Sequence, residues 1–318
     1  MRGSGWRVRA CVVIGAGLAA LGACSPAVTS EQESASESPP VAASSAEPAV
    51  AVAPSETPTP DTPVVGGLEA ITEYVSDADW SFANAGWFAP IPIEIRDGRA
   101  EPDVETVYYL DEGVEVDMDG DGLLDAVIPI VEERAFTMQT LWYVWLAREG
   151  PDGETVAEQV IYPVAKDVHC GDRVNSVTAL DGAIRVDEVL WVTSDVDLSC
   201  ADYGTGLLVK DVALREIEGE LYPIQIAPVV AWGGVCPQTR VEGYYQGVGI
   251  VGIEVRAAPP ASAPLAVEPE QRFWMGAPEY AELIDDGLAA MYVPFVTEMP
   301  REPGGVEHCG FQNSLIAG

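Results

Sequence analysis

The chain has 318 residues, with 16 lysines plus arginines against 51 aspartates plus glutamates and a formal net charge of −35. So large an excess of negative charge is repelled by phosphate backbones and anionic headgroups, which argues against nucleic acid as a partner and against membrane contact through the protein surface. The sequence contains two lysines, Lys166 and Lys210, and its acidity suits an extracytoplasmic or salty setting.

The chain opens with Arg2, Arg7 and Arg9, an apolar run over 12–21, and the small residues Gly22 and Ala23 before Cys24. Charged, apolar and small residues in that order form an export signal, and the run is too short to span a bilayer. Leu21-Gly22-Ala23-Cys24 resembles the lipobox of bacterial lipoproteins. The resemblance implies that 1–23 is a signal peptide and that the Cys24 thiol is diacylated. The protein would then face the extracytoplasmic side of the cell membrane and touch the bilayer through its lipid anchor alone.

Residues 24–66 follow as the lipidated cysteine and a tether rich in Pro, Ser, Ala and Glu, as in SSAEPAVAVAPSETPTPDTP. With no aromatic residue this stretch cannot bury enough apolar surface to fold. As a flexible coil it spans about 40 Å, and about 130 Å if drawn out as polyproline.

From Gly67 the pattern changes. Leu68, Ile71 and Val75 share one helical face, and Trp80, Phe82, Trp87 and Phe88 form an aromatic group suited to core packing. Strand signals follow at 104–110, 123–131, 141–147 and 156–164. Asp181-Gly182 predicts a hairpin turn between strands over 174–180 and 183–192, and Glu218-Gly219-Glu220 a similar reversal between 207–217 and 221–226. Further on, 243–255 reads as a glycine-interrupted strand, 257–269 as a proline-rich loop, and 278–291 as the one substantial helix. These elements predict a mainly β fold of antiparallel hairpin sheets or a sandwich with one or two short helices. Residues 67–225 are expected to form a mainly β lobe, and 226–318 either a C-terminal lobe that meets it near Pro223–Pro228 or a continuation of the same domain.

Beyond Cys11 in the signal and Cys24 at the anchor, Cys170, Cys200, Cys236 and Cys309 remain, an even number for an oxidising compartment. Two disulfides are expected. Of the three connectivities, Cys170 with Cys200 and Cys236 with Cys309 closes the shortest loops.

The strongest chemical motif is Asp117-Met118-Asp119-Gly120-Asp121-Gly122-Leu123-Leu124-Asp125. Calcium takes six to eight hard oxygens, and carboxylates at loop positions one, three, five and nine, with a main-chain carbonyl at seven, supply that kind of set. An EF-hand also needs a glutamate at position twelve, where this chain has Ile128, and a helix on each side, where 114–116 and 126–130 read as strands. The stretch resembles the strand-loop-strand calcium hairpin of FG-GAP repeats and the similar loop of lipoproteins from high-GC Gram-positive bacteria. That resemblance implies Asp117, Asp119, Asp121, the Leu123 carbonyl and Asp125 as ligands of one structural calcium. A propeller needs the motif many times, and here it occurs once.

His169 and His308 each precede a cysteine, which would suit zinc, but adjacent residues on a strand point to opposite faces and oxidised cysteines do not ligate. There is no G-x-S-x-G, no H-E-x-x-H and no P-loop, so no residue is nominated as catalytic. The expected function is a non-catalytic binding or scaffolding module whose partner is an envelope protein or glycan. The alternatives are the ligand-capturing lipoprotein of a transporter and a carboxylate-dependent envelope hydrolase.

Overall fold

Leu68, Ile71 and Val75 recur at helical spacing, and in the computed structural model they line the buried side of helix α1 (Leu68–Val75). The Leu68 N–H donates to Glu115 Oε2 at 2.9 Å and the Trp80 indole N–H donates to the Val75 carbonyl at 3.0 Å, so both helix ends find a partner. The structure describes residues 66–82, 90–169, 171–191, 195, 197–199, 202–236, 252–275, 279–285, 288–296 and 308–315. Cys24, Trp87, Phe88, Cys170, Cys200 and positions 243–251 lie outside them. Among the described residues no helix is long and apolar enough to cross a membrane.

The rest is antiparallel sheet, and each sheet is one contiguous stretch of chain. β1 (Asp79–Phe82) and β2 (Ile91–Glu94) pair with each other. Seven strands follow: β3 (Arg99–Ala100), β4 (Thr106–Leu110), β5 (Val114–Val116), β6 (Asp125–Arg134), β7 (Thr137–Glu149), β8 (Thr155–Gln159) and β9 (Ala165–Val168). The long hairpin β6–β7 forms the centre, with β4 and β5 along the free edge of β6 and β8 and β9 along that of β7. A five-stranded meander comes next, in the order β10 (Arg173–Leu180), β11 (Ala183–Leu190), β12 (Gly206–Ile217), β13 (Glu220–Ala227) and β14 (Ala231–Trp232). The last sheet holds β15 (Val255–Arg256), β16 (Leu265–Val267), β17 (Trp274–Met275), β18 (Glu279–Asp285), β19 (Leu288–Val296) and β20 (His308–Leu315).

Both predicted reversals are present. Leu180 pairs with Ala183 across Asp181-Gly182, and Ile217 pairs with Glu220 across Glu218-Gly219, where both turn residues take positive φ. The segment 278–291 corrects the expected helix: its described residues form β18 and the start of β19. Asp285 pairs with Leu288, and the sequence between them is Asp-Gly, the dipeptide of tight hairpins. Short apolar runs do not separate helix from strand by periodicity, and here β20 supplies β19 with a full-length partner. Of the expected strand over 243–255, the described part is strand only at Val255, where β15 begins.

β6 explains why an uninterrupted apolar run folds as a strand. Its first eight residues are all buried because both faces of the sheet are covered. Ala126, Ile128 and Ile130 pack with α1, Trp80, Phe82, Tyr143 and Trp145. Val127 packs on the other side with Val144 and Leu146 of β7 and with Ile184, Val186 and Val212 of the five-stranded sheet. Trp80 and Phe82 are therefore core residues, as expected of that aromatic group. A further cluster of Tyr162, Tyr222, Trp232 and Phe311 joins the meander to β20. β13 runs across positions 225 and 226 and pairs on both sides with its neighbours.

Candidate metal centre

The loop between β5 and β6 winds on its own carboxylates. Asp117 accepts the N–H groups of Gly120 at 2.7 Å and Gly122 at 3.2 Å. Asp119 accepts that of Asp121 at 3.2 Å, and Asp121 that of Leu123 at 2.8 Å. These are the local aspartate-to-backbone turns that compete with regular structure. Gly120 and Gly122 take φ of 77° and 87°, a region where a side chain would be strained.

The turns bring three of the five expected ligands together. One carboxylate oxygen from each of Asp117, Asp119 and Asp125 lies within 4.8 Å of the others, and this group can hold a metal ion. Asp121 is turned toward the guanidinium of Arg148, whose Nη1 lies 2.7 Å from Asp119 Oδ2 and 3.3 Å from Asp121 Oδ2. Leu123 enters the loop's hydrogen bonding through its N–H. The next carbonyl, that of Leu124, accepts the Gly67 N–H at 2.6 Å, which fastens the loop to the residue just before α1. Gly66 bridges Leu124 so closely that an added Cβ would lie 2.8 Å from the Leu124 oxygen.

Asp125 is the anchor of the group. It is fully buried, with Oδ2 accepting the Met118 N–H at 2.7 Å and Oδ1 the Ala147 N–H at 2.8 Å. Burial pushes its carboxyl up to about 6; the two N–H bonds oppose the shift, and the charges of Asp119 and Asp121 add to it. Asp125 therefore ties the loop across β6 to β7 while carrying a proton more readily than an ordinary carboxylate.

Sequence reasoning missed Arg148 and the Ala147 amide. Both lie more than twenty residues beyond the motif, and the sheet register of β6 and β7 brings them there. Arg148 also reaches Glu158 of β8 at 3.4 Å, so one half-buried cation serves three acids.

The cysteine expectation has one described member. Cys236 and Cys309 are disulfide-bonded with Cα atoms 6.0 Å apart, which links β20 to the segment after β14. Cys309 is thus unavailable as a thiolate ligand. His169 is exposed, whereas His308 is buried against Gln225, 3.2 Å from its Nδ1. Burial, with Lys210 adding, pushes the His308 ring down to about 4.

No protein-family model, curated protein or solved structure matches the chain.

Proposed function

We propose that the protein is a lipid-anchored, extracytoplasmic β domain that acts without catalysis, as a binding or scaffolding module, with one structural calcium in the Asp117–Asp125 loop. The sequence Leu21-Gly22-Ala23-Cys24 after a charged and apolar leader carries this reading. The Cys236–Cys309 disulfide supports it, since such bonds persist in oxidising compartments. The partner in this reading is an envelope protein or glycan. The acidic chain does not suit nucleic acid, and it meets the membrane through the lipid on Cys24.

Calcium suits the loop because it is a hard cation that accepts several carboxylates at once in flexible geometry. Asp117, Asp119 and Asp125 already converge, and Asp121 and the Leu123 carbonyl complete the set if Asp119 and Asp121 leave Arg148. The ion would hold the β5–β6 turn against the Gly66–Leu124 bridge, where the tether joins the domain. Its role there is structural.

Two measurements test the parts separately. Labelled fatty acid is expected on the wild-type protein, while Cys24→Ala should carry none and appear in the medium; unlabelled wild-type protein refutes the anchor. Thermal unfolding with excess calcium and then with chelator tests the ion. At a hundred times its Kd a ligand specific for the folded state adds about 2.7 kcal/mol. The midpoint is expected to rise, and Asp119→Ala with Asp121→Ala to remove the rise. No shift at millimolar calcium leaves the loop a bare turn.

A further inference from the structure

Lys166 and Lys210, the chain's two lysines, are both folded out of water, each 4% exposed. Lys166 Nζ lies 3.6 Å from Asp172 Oδ2, and Lys210 Nζ lies 3.1 Å from Glu188 Oε1. Both acids are buried as well. Strand register brings the two pairs together: Val174, two residues after Asp172, pairs with Glu188, and Lys210 pairs with Val186 on that same strand. Burial pushes the Glu188 carboxyl above the ordinary range. The second oxygen of Asp172 accepts the Trp191 N–H at 2.9 Å, which holds that carboxyl in place at the end of β11.

As an ion pair the Lys166–Asp172 contact is poor. Two charges are taken out of water, and 3.6 Å exceeds a normal N–H···O hydrogen bond. As a prelude to an amide the same contact is favourable, because amine and carboxyl are held together away from bulk water. Groups so held react with effective molarities of about 10⁵ to 10⁸ M. A dry surrounding also favours the direction that expels water.

We propose that Lys166 and Asp172 condense to an intramolecular amide, Nζ to Cγ, with Glu188 as the neighbouring carboxylate that carries the proton. The Lys166 ammonium gives up two protons and its nitrogen forms a bond to Asp172 Cγ. One Asp172 oxygen leaves with those two protons as water. Charge balances, since a cation and an anion become a neutral amide, and no oxidant or co-reactant is needed. Glu188 accepts one proton from the ammonium and returns it to the departing oxygen. Lys210 stays paired with Glu188 and keeps it able to accept that proton. The amide staples the turn that carries the chain from β9 into β10, from the seven-stranded sheet to the five-stranded one. The Val168 N–H on the Asp172 carbonyl at 2.9 Å spans that turn, and the His169 N–H on the Met138 carbonyl at 3.0 Å ties its first residue to β7.

The test is mass spectrometry of the full chain, denatured and reduced, followed by tryptic mapping. Trypsin needs a free ammonium at Lys166, the one cleavage site between Arg148 and Arg173. The expected result is peptide 149–173 in one piece and lighter than its sequence by one water. Lys166→Ala should restore full mass, and Glu188→Gln should leave most of the chain unclosed. Asp172→Asn should release ammonia instead of water and reach the same final mass as wild type. Wild-type protein of full mass, cut after Lys166, overturns the proposal. So does a missing water that maps to Lys210 with Glu188, or to an Asp-Gly step, where succinimide forms. Wild-type mass decides the question even if every variant misfolds.

Discussion

The acidic loop and the lysine cluster use the same chemistry, carboxylates beside a cation, in opposite surroundings. At the loop, Arg148 keeps about a third of its side chain in water, and Asp121 slightly more. In the cluster, Lys210 and Glu188 are 5% and 4% exposed at their side chains. Exposed pairs are screened and interchangeable, so the loop can exchange a guanidinium for a metal ion. Buried pairs are held by the cost of leaving any member alone, so the cluster either stays intact or reacts internally.

Breaking the buried pair should have the largest effect. Lys210→Met leaves Glu188 as an uncompensated charge and is expected to cost about 3–5 kcal/mol in denaturant unfolding. Replacing both partners, Lys210→Met with Glu188→Leu, should recover most of that loss. If the single and double variants are equally unstable, burial of charge is not what distinguishes the two regions.

Asp125→Ala comes next, because it orphans two buried N–H groups, those of Met118 and Ala147. Each is worth about 1–3 kcal/mol. Unfolding with chelator present should show this loss, and titration should show no calcium binding.

The pH dependence sharpens the contrast at the loop. Folding raises Asp125 from an ordinary carboxylate value to about 6, so the folded, metal-free protein holds that proton more tightly than the unfolded chain. Its contribution to stability is therefore present at low pH and is lost as pH rises toward about 6. If the loop takes calcium as proposed, the ion must displace that proton, so apparent calcium affinity should climb through the same window, as read by calorimetric titration.

Arg148→Ala should do least to stability. Partly exposed ion pairs contribute about 0–1 kcal/mol, and metal-free unfolding should move by no more than that. Removing the guanidinium frees Asp119 and Asp121, so calcium affinity is expected to rise. A fall would make Arg148 part of the binding geometry rather than a competitor for it.

Local chemistry was legible from the chain alone. The helix at 68–75, the turns at Asp181-Gly182 and Glu218-Gly219, and the mainly antiparallel β class follow from spacing and turn residues that act over a few positions. The acidic loop was legible as a tight turn of carboxylates, but not that Asp117, Asp119 and Asp121 close on nearby amides, though each bond spans five residues or fewer. The segment 278–291 was misread because its strand character depends on β20, which lies further along the chain.

What tertiary structure decided are the distant partners. Arg148 reaches the acidic loop, and Ala147 holds Asp125, only because β7 lies in register beside β6. In sequence Lys166 and Lys210 are only two scarce cations in an acidic chain. Sheet packing instead buries them among Asp172 and Glu188. Periodicity and composition describe how a residue meets water and its near neighbours, whereas the environment of a charge depends on which other strands close over it, and that is settled only when the sheets pack.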